Sequence, residues 1–240
     1  MRTLWLMYKT DAKLSIREFS GVLFGVLVPV GLIVLLGLIY GDDASQNGMS
    51  FSAVATLGIS SAGLMGLPLT LSDYRQRKIL KRYKVTPVSP MTLLASSVLF
   101  CFSLSLVSTA LIYLVSFVMF GFSLQGSWFV FFAMYFLVMV SIHAVGMMIA
   151  SIAPNAQLAG VIASAIYFPM IFLSGATIPL EIMPSALQVM SNFLPLTHGI
   201  TLLQAVAFNE PLTGVLSSAL ILAVVAIIGI VLSVRYFRWE

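Results

Sequence analysis

The side chains that could do chemistry in this 240-residue sequence are few: two histidines, one cysteine and short groups of serines among long apolar runs. Ser60 and Ser61, with His143 or His198, supply the residue types of a serine hydrolase, in which an imidazole must take the hydroxyl proton. Serines also recur where membrane helices approach one another closely, and packing is the preferred reading. Apart from Cys101 and the tyrosines, His143 is the one ionisable side chain deep in an apolar run, beside Ser141, Met147 and Met148. It reads first as a hydrogen-bonded packing residue, and second as the proton relay of an ion-coupled carrier. Cys101 stands alone, so it offers neither a disulfide nor a metal-ligand spacing. No Gly-x-x-x-x-Gly-Lys-Ser/Thr run cradles a phosphate. The chain is therefore expected not to be an enzyme, with no catalytic, metal or cofactor-binding residue.

What surrounds these residues decides the class. With 60% hydrophobic residues, 8% charged residues and a mean hydropathy of +1.07, the outer surface prefers lipid to water. The net charge of +4 does not point to nucleic acid, because the basic residues gather at the ends of apolar runs and no nucleic-acid motif accompanies them. A spanning helix needs about 20 largely apolar residues. Six stretches supply this: 19–40, 51–71, 91–120, 128–153, 157–177 and 214–234. The first follows basic residues without a nearby cleavage site, so it reads as a retained span.

All twelve Lys and Arg lie before span one, between spans two and three, or after span six, while the opposite loops hold acids only. By the positive-inside rule both termini are expected in the cytoplasm of a cell with a plasma or bacterial inner membrane. Residues 1–18 form an expected amphipathic interfacial helix, with Trp5, Tyr8, Ala12 and Ile16 on one face beside a row of Lys9, Lys13 and Arg17. Segment 178–213 carries several prolines yet stays apolar, and is expected to be a re-entrant outer helical hairpin. Its first helix should begin at Pro184 with Leu187, Met190 and Leu194 on one face; its second should bury Leu196, Ile200, Leu203 and Ala207. Gly21/Gly25 and Gly37/Gly41 match a small-residue helix-packing pattern around span one.

The loop 72–90 is the sharpest local feature. Read as a helix from about Asp73, it places Ile79, Leu80 and Tyr83 on a narrow apolar face framed by Arg75, Arg77, Lys78, Lys81, Arg82 and Lys84. Thr86-Pro87 should end that helix, and Ser89-Pro90 should cap and begin span three. A basic helix of this kind can anchor to a membrane surface, or insert its ridge into a groove on a soluble partner.

Two motifs carry a resemblance. Arg75, Leu80 and Thr86-Pro87-Val88-Ser89 look like Arg-x-x-x-x-Leu followed by Thr-Pro-x-Ser, while Phe172-Leu-Ser-Gly175 with Pro179, Glu181, Pro184 and Pro195-Leu-Thr197 looks like an outer-region signature. On these residues the chain resembles the permease subunits of the type-2 ABC transporter family, over nearly its whole length as a single transmembrane domain. It departs from the family pattern at Tyr74, Gln76 and Lys78, where acids and a glycine are common. The resemblance implies an all-α polytopic membrane protein of six transmembrane helices that exports an amphipathic or hydrophobic substrate. It implies cytoplasmic ABC ATPase subunits holding ATP and Mg, a second permease copy or sister permease, and surrounding membrane lipids. It also implies ATPase coupling through Arg75, Lys78, Ile79, Leu80, Arg82, Tyr83, Thr86 and Pro87. A substrate pathway near Thr56, Ser60, Met65, Leu67, Tyr167 and Phe168 follows from the same resemblance, as does an outer region built on Gly175, Pro179, Glu181, Pro184 and Pro195. An ion-coupled carrier and a non-transporting scaffold or sensor subunit are the alternatives.

Overall fold

A computed structural model describes residues 2–18, 20–41, 43–79, 90–178 and 180–236. Six helices are long and apolar enough to cross a bilayer: Leu23–Tyr40, Ser45–Gln76, Thr92–Phe120, Trp128–Ile152, Ala156–Leu173 and Thr213–Tyr236. They are called spans one to six. An N-terminal helix, Arg2–Glu18, precedes them, and no strand occurs among the described residues. The all-α, six-span architecture expected from hydropathy is the one found.

Span two is the axis. Most of it is buried, whereas in spans one, three, five and six only a minority of residues is buried. Spans one, three, four and five all pack on it, and span six reaches the assembly through span four. Its helix starts at Ala44 rather than 51 and runs to Gln76 rather than 71. The early start has a cause that hydropathy does not register: Asp43 caps the helix, accepting from the amides of Ser45 (3.0 Å) and Gln46 (3.2 Å). Span five stops at Leu173, short of 177, because Ser174 and then Gly175, at φ +85°, turn the chain out of the helix.

Prolines shape the middle of the bundle. Leu23–Leu27 in span one and Ser61–Gly66 in span two are π-helical, with Pro29 and Pro68 just beyond. A proline donates no amide hydrogen to the carbonyl four residues earlier, and a widened turn absorbs the defect. The two π-helical turns touch each other. Close by, Gly146 of span four lies so near span two that an added Cβ would sit 1.9 Å from the Gly63 carbonyl oxygen. Small residues make comparable contacts elsewhere: Gly37 lies under the Phe120 ring and Gly25 against Leu104, so these two glycines of span one serve packing within the chain.

The N-terminal helix turns Met7 and Asp11 inward and leaves Trp5 exposed. One expected face is corrected. In the outer region, the short helix Ser185–Ser191 begins after Pro184, leaves Met190 exposed, and ends before Leu194, which instead precedes the next helix. That next helix, Pro195–Ala207, buries Leu196, Ile200, Leu203 and Ala207 as expected, against spans two, four and six. Gln188 joins the pieces by donating to the carbonyls of Leu180 (3.0 Å) and Met183 (2.9 Å).

The Gly146 contact yields a stability test. Gly146→Ala has no side chain to displace, only backbone, and should lower stability by about 1–3 kcal/mol. Gly31→Ala, on an exposed helical position with nothing within 4 Å, should leave it unchanged or slightly raised. Thermal unfolding of the detergent-purified protein checks both; equal effects would remove the significance of the Gly63–Gly146 approach.

Candidate functional site

Successive residues of an α-helix point about 100° apart, so three in a row at a helix end can reach three neighbours. The end of span two does this, immediately before the basic loop. The Tyr74 hydroxyl donates to the Asp11 carboxylate of the N-terminal helix at 2.5 Å. Arg75 Nη1 donates to the carbonyl oxygens of Ala150, at 2.9 Å, and Ala153, at the end of span four. Gln76 Oε1 accepts from the Ala156 amide at the start of span five, at 3.3 Å. Asp73 and Arg77 add an exposed ion pair of 2.8 Å across one turn of the same helix.

The Arg75 contact follows from the sequence of its partner. Within a helix the Ala150 carbonyl would accept from residue 154, but that residue is Pro154 and has no amide hydrogen. Ala153, before the proline, is extended (φ −69°, ψ 123°) and ends the helix. The two carbonyls face outward from a helix C-terminus, where the macrodipole is negative. A guanidinium is always charged and carries several donors, which suits this position. Arg75 is only 7% exposed, so this is an internal tie rather than part of a solvated basic face.

Asp11 gathers a second set of partners. Besides Tyr74, the Ser96 hydroxyl donates to it at 2.7 Å and the Ser97 hydroxyl at 3.3 Å, both from span three. One turn away, the Tyr8 hydroxyl donates to Ser103 Oγ at 2.8 Å. An acid in a lysine-rich helix reads as solvated, and sequence reasoning missed it. Its signal was positional: Leu4, Met7, Tyr8 and Asp11 share a helical face, and Ser96-Ser97 supplies two hydroxyls near the start of span three.

The expected coupling residues are divided by the structure. Span two stays helical to Gln76 and Lys78 adopts φ +55°, so the expected helix from Asp73 through the loop is interrupted at Lys78. Lys78 is exposed, and Ile79 is half-buried and packs against a buried cluster that includes Leu71 of span two and Leu93 of span three. Leu80, Arg82, Tyr83, Thr86 and Pro87 lie outside the described residues.

The expected pathway residues differ in their burial within the chain. Thr56, Ser60 and Leu67 are buried within the chain and Met65 is half-buried. Ser52, Thr56 and Ser60 each donate to a carbonyl one turn back in their own helix, at 3.1, 2.7 and 2.8 Å. Ser61 donates to Gly58 in the same way, so the described hydrogen bonds of Ser60 and Ser61 do not join either to a histidine. Tyr167 is half-buried while Phe168 points outward, with their rings 5.7 Å apart. His143 donates to the Met139 carbonyl at 2.8 Å and meets the Phe102 ring edge-on at 4.7 Å, which fits the packing role.

On the acidic side, Gly175 makes the left-handed turn after span five, Pro184 precedes the short helix and Pro195 starts the longer one. Glu181 lies in the turn Leu180–Ile182, and Pro179 falls outside the described residues. His198 Nε2 donates to the Asn192 carbonyl at 2.8 Å, leaving Nδ1 to accept from the Ser218 hydroxyl at 3.1 Å. It thereby joins the longer outer helix to span six.

The sequence model of the ABC-2 type transporter family matches residues 2–208. The chain is similar to Nodulation protein J of Rhizobium leguminosarum biovar viciae, with 28% identity over 95 residues, covering 40% of this chain and 37% of the relative. The namesake from biovar trifolii gives 28% over 95 residues, 40% of this chain and 36% of the relative. The Sinorhizobium fredii protein of that name is 38% identical over 66 residues, 28% of this chain and 25% of the relative. The matched stretches thus span about a quarter to just over a third of these relatives.

Because Arg75 is buried, Arg75→Ala should cost about 1–3 kcal/mol by leaving the Ala150 carbonyl unpaired. Asp11→Asn and Tyr74→Phe should be non-additive in thermal unfolding, with a coupling of about 0.5–3 kcal/mol. Additive effects would show that the two side chains do not act together.

Proposed function

This chain belongs to the ABC-2 type transporter family, and on that premise we propose that it is the permease subunit of an ATP-driven exporter. In this reading it moves an amphipathic or hydrophobic substrate out of the cytoplasm, powered by separate ATPase subunits that bind ATP and Mg. The basic end of the bundle is the cytoplasmic one, since Lys and Arg resist translocation. The basic loop then faces the ATPases, the N-terminal helix lies along the inner interface, and segment 178–213 forms a re-entrant cap. A second permease, identical or a sister chain, completes the transporter. Spans five and one leave broad apolar surface for it.

The observation that carries the proposal is the set of ties made by Tyr74, Arg75 and Gln76. A push on the loop that follows would reach the N-terminal helix and spans three, four and five together, through hydrogen bonds rather than a flexible linker. Leu80, Tyr83, Arg82 and the Thr86-Pro87 stop would form the part an ATPase groove grips, with Lys78 and Ile79 at its edge. An ion-coupled alternative would rest on His143, whose Nδ1 donates to the Met139 carbonyl of its own helix, as a packing residue would.

Purification of the native complex tests this directly. An ATPase subunit should co-purify. Leu80→Asp combined with Tyr83→Asp should release it, or abolish ATP-dependent transport, while the permease still folds in the membrane. Purification without any ATPase, together with unchanged transport by the double variant, would defeat the proposal.

A further inference from the structure

A cavity of about 540 Å³ opens on the side of the bundle where the N-terminal helix meets spans three and four. Trp5 and Tyr8 form its lower edge, Ser103 and Leu106 one wall, and Phe132 and Phe136 the other. Its floor is buried, with Tyr135 at 1% exposure, while Leu106, Phe132 and Phe136 are each about half exposed, so the opening is lateral. The hydroxyls around it are already engaged: Tyr8 donates to Ser103, Ser103 to the Phe100 carbonyl (2.7 Å), and Tyr135 pairs with Thr109 (3.0 Å). Apolar space without free donors or acceptors does not hold water.

Its depth follows from length. The helix of span three, Pro90–Phe120, has 31 residues. At 1.5 Å each that is about 46 Å, against roughly 30 Å of hydrocarbon. With Phe120 at the outer boundary, the inner boundary falls near residue 100. Leu106 then lies in the tails of the inner leaflet, while Asp11 with Ser96 and Ser97 sits below them. Lys9 lies at this boundary, its ammonium 5.2 Å from the Trp5 ring at the cavity edge, with exposed Lys13 one turn further along the helix.

We propose that this cavity is a binding site for one acyl chain of an anionic phospholipid of the inner leaflet, with its headgroup phosphate held by Lys9 and Lys13. Hydrocarbon at the opening recovers the dispersion contacts that an empty cavity would lose. Two ammonium groups beside the mouth favour an anionic headgroup over a zwitterionic one. The headgroup assignment rests on the basic end being cytoplasmic; the tail assignment rests on the cavity alone. The site couples lipid to the helix that carries Asp11, and so to the end of span two.

The test uses the full chain, with whatever subunits purify with it, in nanodiscs containing phosphatidylglycerol or phosphatidylcholine with a photoreactive group near the tail end. Cross-linked residues are mapped by mass spectrometry. Label should concentrate several-fold on Leu106, Phe132 and Phe136 relative to lipid-facing Ile227 of span six. Leu106→Trp or, from the other wall, Met139→Phe should fill the cavity and abolish that excess; using both guards against one variant misfolding. Lys9→Ala with Lys13→Ala should reduce the preference for phosphatidylglycerol on the order of ten-fold. Labelling no denser than at Ile227, or insensitive to both filling variants, would overturn the site. Equal labelling by both lipids would overturn its anionic specificity. Neither outcome depends on whether an ATPase co-purifies.

Discussion

Arg75 meets a helix terminus that its own sequence leaves unsatisfied, and much of the bundle's organisation depends on that contact. Pro154 ends span four and deprives the Ala150 carbonyl of its helical donor; Arg75 supplies one from span two. Removing a guanidinium from water is unfavourable unless its charge and donors are met. Here the partners are carbonyls at the negative end of a long helix. Either half alone would be a defect. Together they hold spans two and four in register, and the Gly63–Gly146 approach repeats the same pairing nearer the middle of the bundle.

This tie matters for function because of what flanks it in sequence. Tyr74 and Gln76, on either side of Arg75, are the residues that reach Asp11 and Ala156. The coupling proposed for this permease therefore begins before the loop, in the last turn of span two. Nearer the middle of the bundle, the π-helical turns beside Pro29 of span one and Pro68 of span two provide places where the ladder of hydrogen bonds is already widened. In the proposed cycle, the basic end moves as one tied unit and the π-helical turns accommodate the change in shape.

The sequence was most legible where one physical quantity dominates. Bilayer thickness dictates the length of apolar runs, so six spans and their order could be read directly. Polar ends of helices escaped because hydropathy is silent there: Asp43 extends span two backward through a cap, and Tyr74 to Gln76 extend it forward into charged sequence. Arg75 looked like one of six cations framing an apolar ridge, and only the position of Pro154, far along the chain, reveals why it is buried. Asp11 was hidden for a similar reason, since its partners lie on spans two and three. In a membrane an apolar side chain such as Trp5 can face outward while an acid such as Asp11 faces the protein.

The most direct measurement is the distance between spin labels at Lys13→Cys and Gln157→Cys, both exposed positions, in a Cys101→Ser background of the assembled transporter. These labels report the N-terminal helix and the start of span five, which meet the end of span two through Tyr74 and Gln76. With Arg75 intact, trapping the ATP-bound state should change this distance distribution. Arg75→Ala should abolish or broaden the change while the ATPase remains bound. An identical ATP-dependent change in both proteins would contradict a tied unit centred on Arg75.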